Sequence, residues 1–242
     1  MRVENELNIY AKLWENTLEI NELIYNRFEA HVDRTPYLKH HFDVITRNNL
    51  GFGEKAFRYL WELIVRDMPK WGNFLEIGVY KGSILALTQM ISKEINHGLH
   101  SWGVTPLAPV GDKYSTYDDC NYLAEIERTF ELCGVSINST TLISGLSTDP
   151  AVVVQIGLNG RYDAIYIDGG HDYATVFSDL KMADFALKSG GLLIMDDAAC
   201  HLNIASWRGH EDVSNAADDF FVNNSDYEHL LAVGHNRVWR KS

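Results

Sequence analysis

"FLEIGVYKGS", Phe74 to Ser83, passes within ten residues from an apolar run, through a loop with glycines four apart, to the start of the helical pattern SILALTQMISKEI. Reading outward, the same unit returns. LHSWGV is followed by a polar loop and YLAEIERTFELC, TTLISG by DPAVVVQIGL, YDAIYID by ATVFSDLKMADFALK, and a last apolar run, GLLIMDD, closes the series. Short apolar strands alternating with helices predict a parallel sheet covered on both faces. Downstream, VSNAADDFFVNN reads as one more helix, and YEHLLAV-GHN-RVW as an antiparallel hairpin. Upstream, Leu7, Tyr10, Leu13, Trp14 and Leu18, then Phe57, Leu60, Trp61, Ile64 and Val65 before Pro69, recur at helical spacing. The expected organisation is a helical extension over residues 1–70 and an α/β domain over 71–242, packed as one unit.

The chain of 242 residues is long enough to bury a substantial core, and its net charge of -12 is uneven. Residues 1–70 carry ten basic and eleven acidic side chains, leaving eleven basic and twenty-two acidic for the rest. That surface repels phosphate backbones, and no basic run is present, so nucleic acid is not an expected partner. Cys120, Cys133 and Cys200 are an odd set without C-x-x-C spacing, which suits free thiols in a reducing compartment. The opening MRVENELNIYAKLWENTLEI mixes charges into its apolar positions, so neither a membrane span nor a signal peptide is expected there. The expectation is a soluble cytoplasmic protein.

In an open α/β sheet, ligands bind beyond the carboxyl ends of the strands. Those ends carry Glu76, Gly78 and Gly82-Ser83; Thr105; Gly145-Leu146-Ser147; Asp168 and His171; and Asp196-Asp197. Val79, Tyr80 and Lys81 fill the place where a dinucleotide fingerprint needs its central glycine, so that reading fails. Glu76, a carboxylate where an apolar residue would pack better, suits a ligand bearing a positively charged amine.

EIGVYKGS resembles the first motif of class I S-adenosylmethionine-dependent methyltransferases, and the order of elements from about residue 73 to 239 is similar to theirs. YIDGGHDY together with GGLLIMDD resembles the small-molecule O-methyltransferases of the macrocin and mycinamicin type and, more distantly, catechol O-methyltransferase. The resemblance implies a Rossmann-like fold with a seven-stranded, mostly parallel sheet and a C-terminal antiparallel hairpin. It also implies that Glu76, Gly78 and Gly82 hold the methionine end of S-adenosylmethionine, that Gly145, Leu146 and Ser147 lie near its adenine, and that Tyr80, Ser83, Thr105 and Asp168 complete the cofactor set. The chain departs from the pattern at Thr105, where the family usually has an acid for the ribose diol; Asp112 in the next loop is the candidate substitute.

Neighbouring strands lie roughly 4.8 Å apart, and the strands ending at Asp168 and Asp196 are adjacent in the expected order. Asp168, Asp196 and Asp197 would repel one another unless a cation or protons intervened, and oxygen ligands favour Mg²⁺. The resemblance extends to a basic residue three positions after the first acid, here His171, as the group that takes a proton. Asp172 is the expected N-cap of the following helix. Taken singly, each of these elements is better explained as a cap or a satisfied histidine; the coincidence of both at adjacent strand ends favours a site. His201 and His210 are given no role.

These residues together predict a Mg²⁺-assisted O-methyltransferase acting on a hydroxylated small molecule, with a sugar or natural-product intermediate as the expected acceptor class. Two alternatives are a cephalosporin hydroxylase-like protein, which shares the motifs, and a non-catalytic cofactor-binding protein. Trp14, Tyr25 and Phe28 offer apolar surface for a homodimer.

Overall fold

The structure, a computed structural model, describes residues 5–242; the first four residues of the expected extension lie outside the described residues. Four helices lead: α1 (Glu6–Leu13), α2 (Leu18–Arg34), α3 (Pro36–Asn48) and α4 (Phe57–Asp67). Asn5 and Thr17 cap α1 and α2 through their side chains, and Pro36 opens α3 at a position that needs no N–H. The α/β series follows as β1 (Asn73–Ile77), α5 (Ser83–Glu94), β2 (His100–Thr105), α6 (Tyr122–Leu132), β3 (Thr140–Ser144) and α7 (Pro150–Leu158). It continues with β4 (Tyr162–Ile167), α8 (Tyr173–Ala186), β5 (Leu187–Met195), α9 (Glu211–Val222), β6 (Tyr227–Val233) and β7 (Asn236–Lys241).

The seven strands are ordered β3-β2-β1-β4-β5-β7-β6, with β7 antiparallel between β5 and β6. The five other strands run parallel, as the strand–helix alternation predicts. Register fixes the working edge. Ile77 pairs with Ile167 and Ile167 with Met195, so Gly78, Asp168 and Asp196 emerge on one level, one residue further on.

Side-chain alternation along the strands sorts the core into two layers. Leu75, Ile77, Ile165, Ile167, Leu193 and Met195 face α7, α8 and α9. Phe74, Ala164, Tyr166, Leu192 and Ile194 join the opposite layer, which contains Leu7, Phe28, Leu60 and Trp61 of the leading helices. Trp61 meets Phe74 and Tyr166 edge-on at 5.4 and 4.8 Å. By the same alternation Glu76, Asp168 and Asp196 turn toward the leading helices. The apolar side chains expected at a dimer surface have partners within the chain: Phe28 is fully buried, and Trp14 packs on His229 at 4.5 Å and donates to Asn21.

Candidate active site

Two cavities meet at this edge. The smaller, about 220 Å³, lies over β1, β2 and β3 and is lined by Gly78, Tyr80, Thr105, Asp112, Gly145, Leu146, Ser147 and Asp168, among others. The larger, about 590 Å³, lies beneath the leading helices and is lined by Glu76, Ser83, His171, Asp196, Asp197, Trp207 and His235, with Gly51 to Glu54 and Arg58 as the far wall. Gly78, Tyr80, Tyr117 and Asp168 line both. Gly78 takes φ 101, and a Cβ there would lie 2.0 Å from the Asp168 carbonyl oxygen; only glycine lets the β1 and β4 loops approach this closely. Gly82 faces Ile126 of α6 and lines neither cavity.

Glu76 is buried, and one carboxylate oxygen has no partner. Burial, with a smaller push from the Asp196 charge, raises its pKa to about 8 against an opposing hydrogen bond from the Leu85 backbone. Thr105 is buried in the smaller cavity, and its hydroxyl accepts the Leu107 N–H at 3.1 Å. Asp112 lines the same cavity, but its four acceptor positions are full: Oδ1 accepts from the N–H groups of Tyr114 (2.8 Å) and Ser115 (2.9 Å), and Oδ2 from His171 N–H (2.8 Å) and His171 Nδ1 (2.7 Å). Asp112 therefore has nothing left for a ribose. Its work is to hold His171, and these bonds take its pKa down to about 2 despite burial.

The acids form a coupled group. Burial, then the charges of Asp196 and Asp197, push Asp168 well above the carboxylate range, so it keeps its proton and shares it with Asp196. Burial also opposes the charge of Asp196, but His235, with Nε2 3.3 Å from Asp196 Oδ1, holds this carboxyl low. Asn236 Nδ2 donates to the same oxygen at 2.6 Å. His235 is correspondingly raised to about 9 by Asp196 against the effect of burial. Asp197 takes a left-handed φ of 53 and receives Trp207 Nε1 on Oδ1 at 3.1 Å. Its Oδ2 lies 3.5 Å from both His171 Nε2 and His210 Nε2. The compact clusters are thus Asp196-Asp197-His235 and His171-Asp197-His210, rather than the three aspartates alone. Asp172 caps α8 by accepting the Thr175 N–H at 3.1 Å, as its position predicts.

His235 was missed by sequence reasoning, although a signal existed. Because β7 runs antiparallel to β5, with Met195 opposite Arg237, residues just before β7 must lie at the C-terminal end of β5. The turn Gly234-His235 is therefore part of the working edge. The wall from Gly51 to Arg58 carried no comparable signal; Phe52 in it stacks on Tyr80, with centroids 5.6 Å apart.

The family described as a methyltransferase domain matches residues 75–198, just over half of the chain. No curated protein sequence matches significantly. Similar solved structures include an S-adenosylhomocysteine-bound methyltransferase from Podospora anserina, with TM-score 0.60, 17% identity and coverage of 90% of this chain and 94% of that one. An O-methyltransferase from Bacillus cereus in complex with S-adenosylhomocysteine has TM-score 0.57, 15% identity and coverage of 88% and 96%. The O-methyltransferase TomG from Streptomyces achromogenes, involved in tomaymycin synthesis and bound to S-adenosylmethionine, has TM-score 0.57, 11% identity and coverage of 85% and 89%. At these identities the likeness is one of fold.

Proposed function

This chain belongs to the methyltransferase-domain family, and from that premise we propose that it moves a methyl group from S-adenosylmethionine to a hydroxyl of a small molecule, such as a sugar or a natural-product intermediate. The observation that carries this reading is the meeting of two cavities at Gly78 and Asp168, with His171 opening onto the larger. The smaller cavity, with Thr105, Gly145, Leu146 and Ser147, suits a nucleoside. The unpartnered oxygen of Glu76 suits the ammonium of the methionine end, with Gly78, Tyr80, Gly82 and Ser83 shaping the loop around it.

When bound, the cofactor supplies a methyl group already activated by its sulfonium, and a divalent cation such as Mg²⁺ makes an acceptor hydroxyl easier to deprotonate. Four crowded carboxyls, Glu76, Asp168, Asp196 and Asp197, with one imidazolium among them, fit such a cation, and Asp168, Asp196 and Asp197 are the residues that would hold it. The remaining work falls to the chain. His171 donates its Nδ1 proton to Asp112, leaving Nε2 bare on the side of the larger cavity, where it takes the acceptor's proton. Asp112 then stabilises the imidazolium that forms. Phe52, Tyr80 and Trp207 supply flat apolar walls for the acceptor and help exclude water. Homodimerisation belongs to this reading through the exposed Ile9, Leu13, Leu18 and Leu23 of α1 and α2, and light scattering checks it.

The test is turnover with S-adenosylmethionine against a panel of hydroxylated acceptors, scored by release of S-adenosylhomocysteine. Release that depends on both acceptor and His171 supports the reading. Oxygen consumption without release points to the hydroxylase-like alternative.

A further inference from the structure

We infer that His171, His210 and Asp197 form a binding site for a nitrogen-preferring divalent cation such as Zn²⁺, with a ligand set different from the all-oxygen one proposed for Mg²⁺. The three ligand atoms lie within 4.8 Å of one another, and Asp197 Oδ2 is 3.5 Å from each imidazole Nε2. Zinc–ligand bonds of about 2.0–2.1 Å in tetrahedral geometry put neighbouring ligand atoms roughly 3.4 Å apart. The two carboxylate–imidazole separations are therefore within about a tenth of an ångström of those of a filled site, and the two imidazoles lie within 4.8 Å of each other.

The surrounding groups orient these atoms as outer partners of a metal do. Asp112 Oδ2 accepts from His171 Nδ1 at 2.7 Å, which fixes the tautomer and leaves the Nε2 lone pair facing Asp197. Trp207 Nε1 occupies Oδ1 of Asp197, so that Oδ2 is the free oxygen. The His210 ring is held by stacking on Tyr114, with centroids 4.2 Å apart, and the Tyr114 N–H is itself anchored on Asp112. Both imidazole Nε2 atoms and Asp197 Oδ2 thus face one another around a single point. A cation at that point would be within reach of all three.

Three separate loops converge here: His171 follows β4, Asp197 follows β5, and His210 precedes α9. Two imidazoles and one carboxylate suit zinc and neighbouring transition ions, whereas Mg²⁺ prefers oxygen. Three protein ligands leave a fourth position for water or an acceptor oxygen, and His171 and Asp197 both line the 590 Å³ cavity. The second cluster offers a nitrogen-preferring ion only one imidazole, His235, beside the two carboxylates. An ion on His171 Nε2 also occupies the lone pair that methyl transfer needs for the acceptor's proton, so filling this site silences the base.

The experiment is a titration of the metal-free full-length chain with Co²⁺, read in the visible spectrum, followed by displacement with Zn²⁺. It requires no cofactor or acceptor, so its outcome is separable from the methyltransferase reading. One equivalent of Co²⁺ should give the intense bands of tetrahedral cobalt, and Zn²⁺ should abolish them. His210→Ala should weaken the binding by more than about tenfold, the least that loss of even an outer partner costs, with an unchanged melting curve confirming the fold. His201→Ala should bind like the wild type, because His201 pairs with Asn215 outside the cluster. Absence of tetrahedral bands in the wild type, unaltered affinity in His210→Ala, or an equal loss in His201→Ala overturns the inference.

Discussion

His171 Nδ1 lies 2.7 Å from Asp112 Oδ2, and the His171 backbone N–H reaches the same oxygen at 2.8 Å. A loop after β2 thereby fixes both the position and the tautomer of a histidine after β4. Asp112→Asn keeps the volume but presents an amide that does not reproduce this acceptor. Turnover is expected to fall by about 10- to 100-fold, less than the roughly 10²- to 10⁴-fold worth of the base itself, because the base is kept and only its orientation is lost. Affinity for S-adenosylhomocysteine should hardly change, since Asp112 has no acceptor capacity left for the ribose. Steady-state rates beside calorimetric binding check both halves.

The acidic group leads to a metal expectation. Asp168→Ala, Asp196→Ala and Asp197→Ala should each remove most Mg²⁺-dependent turnover while leaving binding of S-adenosylmethionine largely intact. His171→Ala should retain metal-dependent binding and lose rate by about 10²- to 10⁴-fold, partly restored at higher pH. Assays in EDTA and in added Mg²⁺, run beside thermal melts, separate these cases from loss of stability. Full activity in EDTA contradicts the metal assignment.

Asp179 of α8 is buried on the opposite side of the sheet edge, and burial raises its pKa to about 7 against a favourable contact with Ser147. The folded-state value is above the unfolded one, so folding keeps a proton that the unfolded chain loses. Stability associated with this group is complete below about pH 4 and declines as pH rises to about 7. Asp179→Asn, which has no charge to bury, is expected to be more stable than the wild type at pH 8 by about 1–3 kcal/mol. At pH 4 the gain should vanish. Urea melts at the two pH values read the difference directly.

Most of the sheet was legible because β1, β3, β4, β5 and β6 are short runs closed by glycine or acid, while β2 ends on Thr105. The leading helices were legible only in part. In α3 the buried positions Leu38, His41 and Ile45 keep helical spacing, but a buried histidine, donating to or accepting from no side chain and held on the Ser83 carbonyl at 3.0 Å, interrupts the apolar signal. The site divides in the same way. Glu76, Gly78, Asp168, Asp196 and Asp197 stand at strand ends, where the chain's own alternation places them. Asp112, His210 and His235 reach the site from loops whose course depends on tertiary packing. Asp112 is a candidate ribose acceptor by position alone, but its lone pairs are filled by Tyr114, Ser115 and His171, and sequence position does not show which neighbours have claimed a carboxylate.

The central claim is that the β1 loop and Glu76 receive the methionine end of S-adenosylmethionine. The free site holds a protonated Glu76 with a pKa of about 8. An ammonium beside it favours the carboxylate, so binding near neutral pH should release a proton to the buffer and tighten as pH rises toward 8. The direct measurement is calorimetric titration of the wild type and Glu76→Ala with S-adenosylmethionine, repeated in buffers of different ionisation enthalpy. Expected are one site per chain, proton release in the wild type, and affinity lowered at least about tenfold in the variant, about 1.4 kcal/mol. Equal affinity in a folded Glu76→Ala, or no binding by the wild type, contradicts the account.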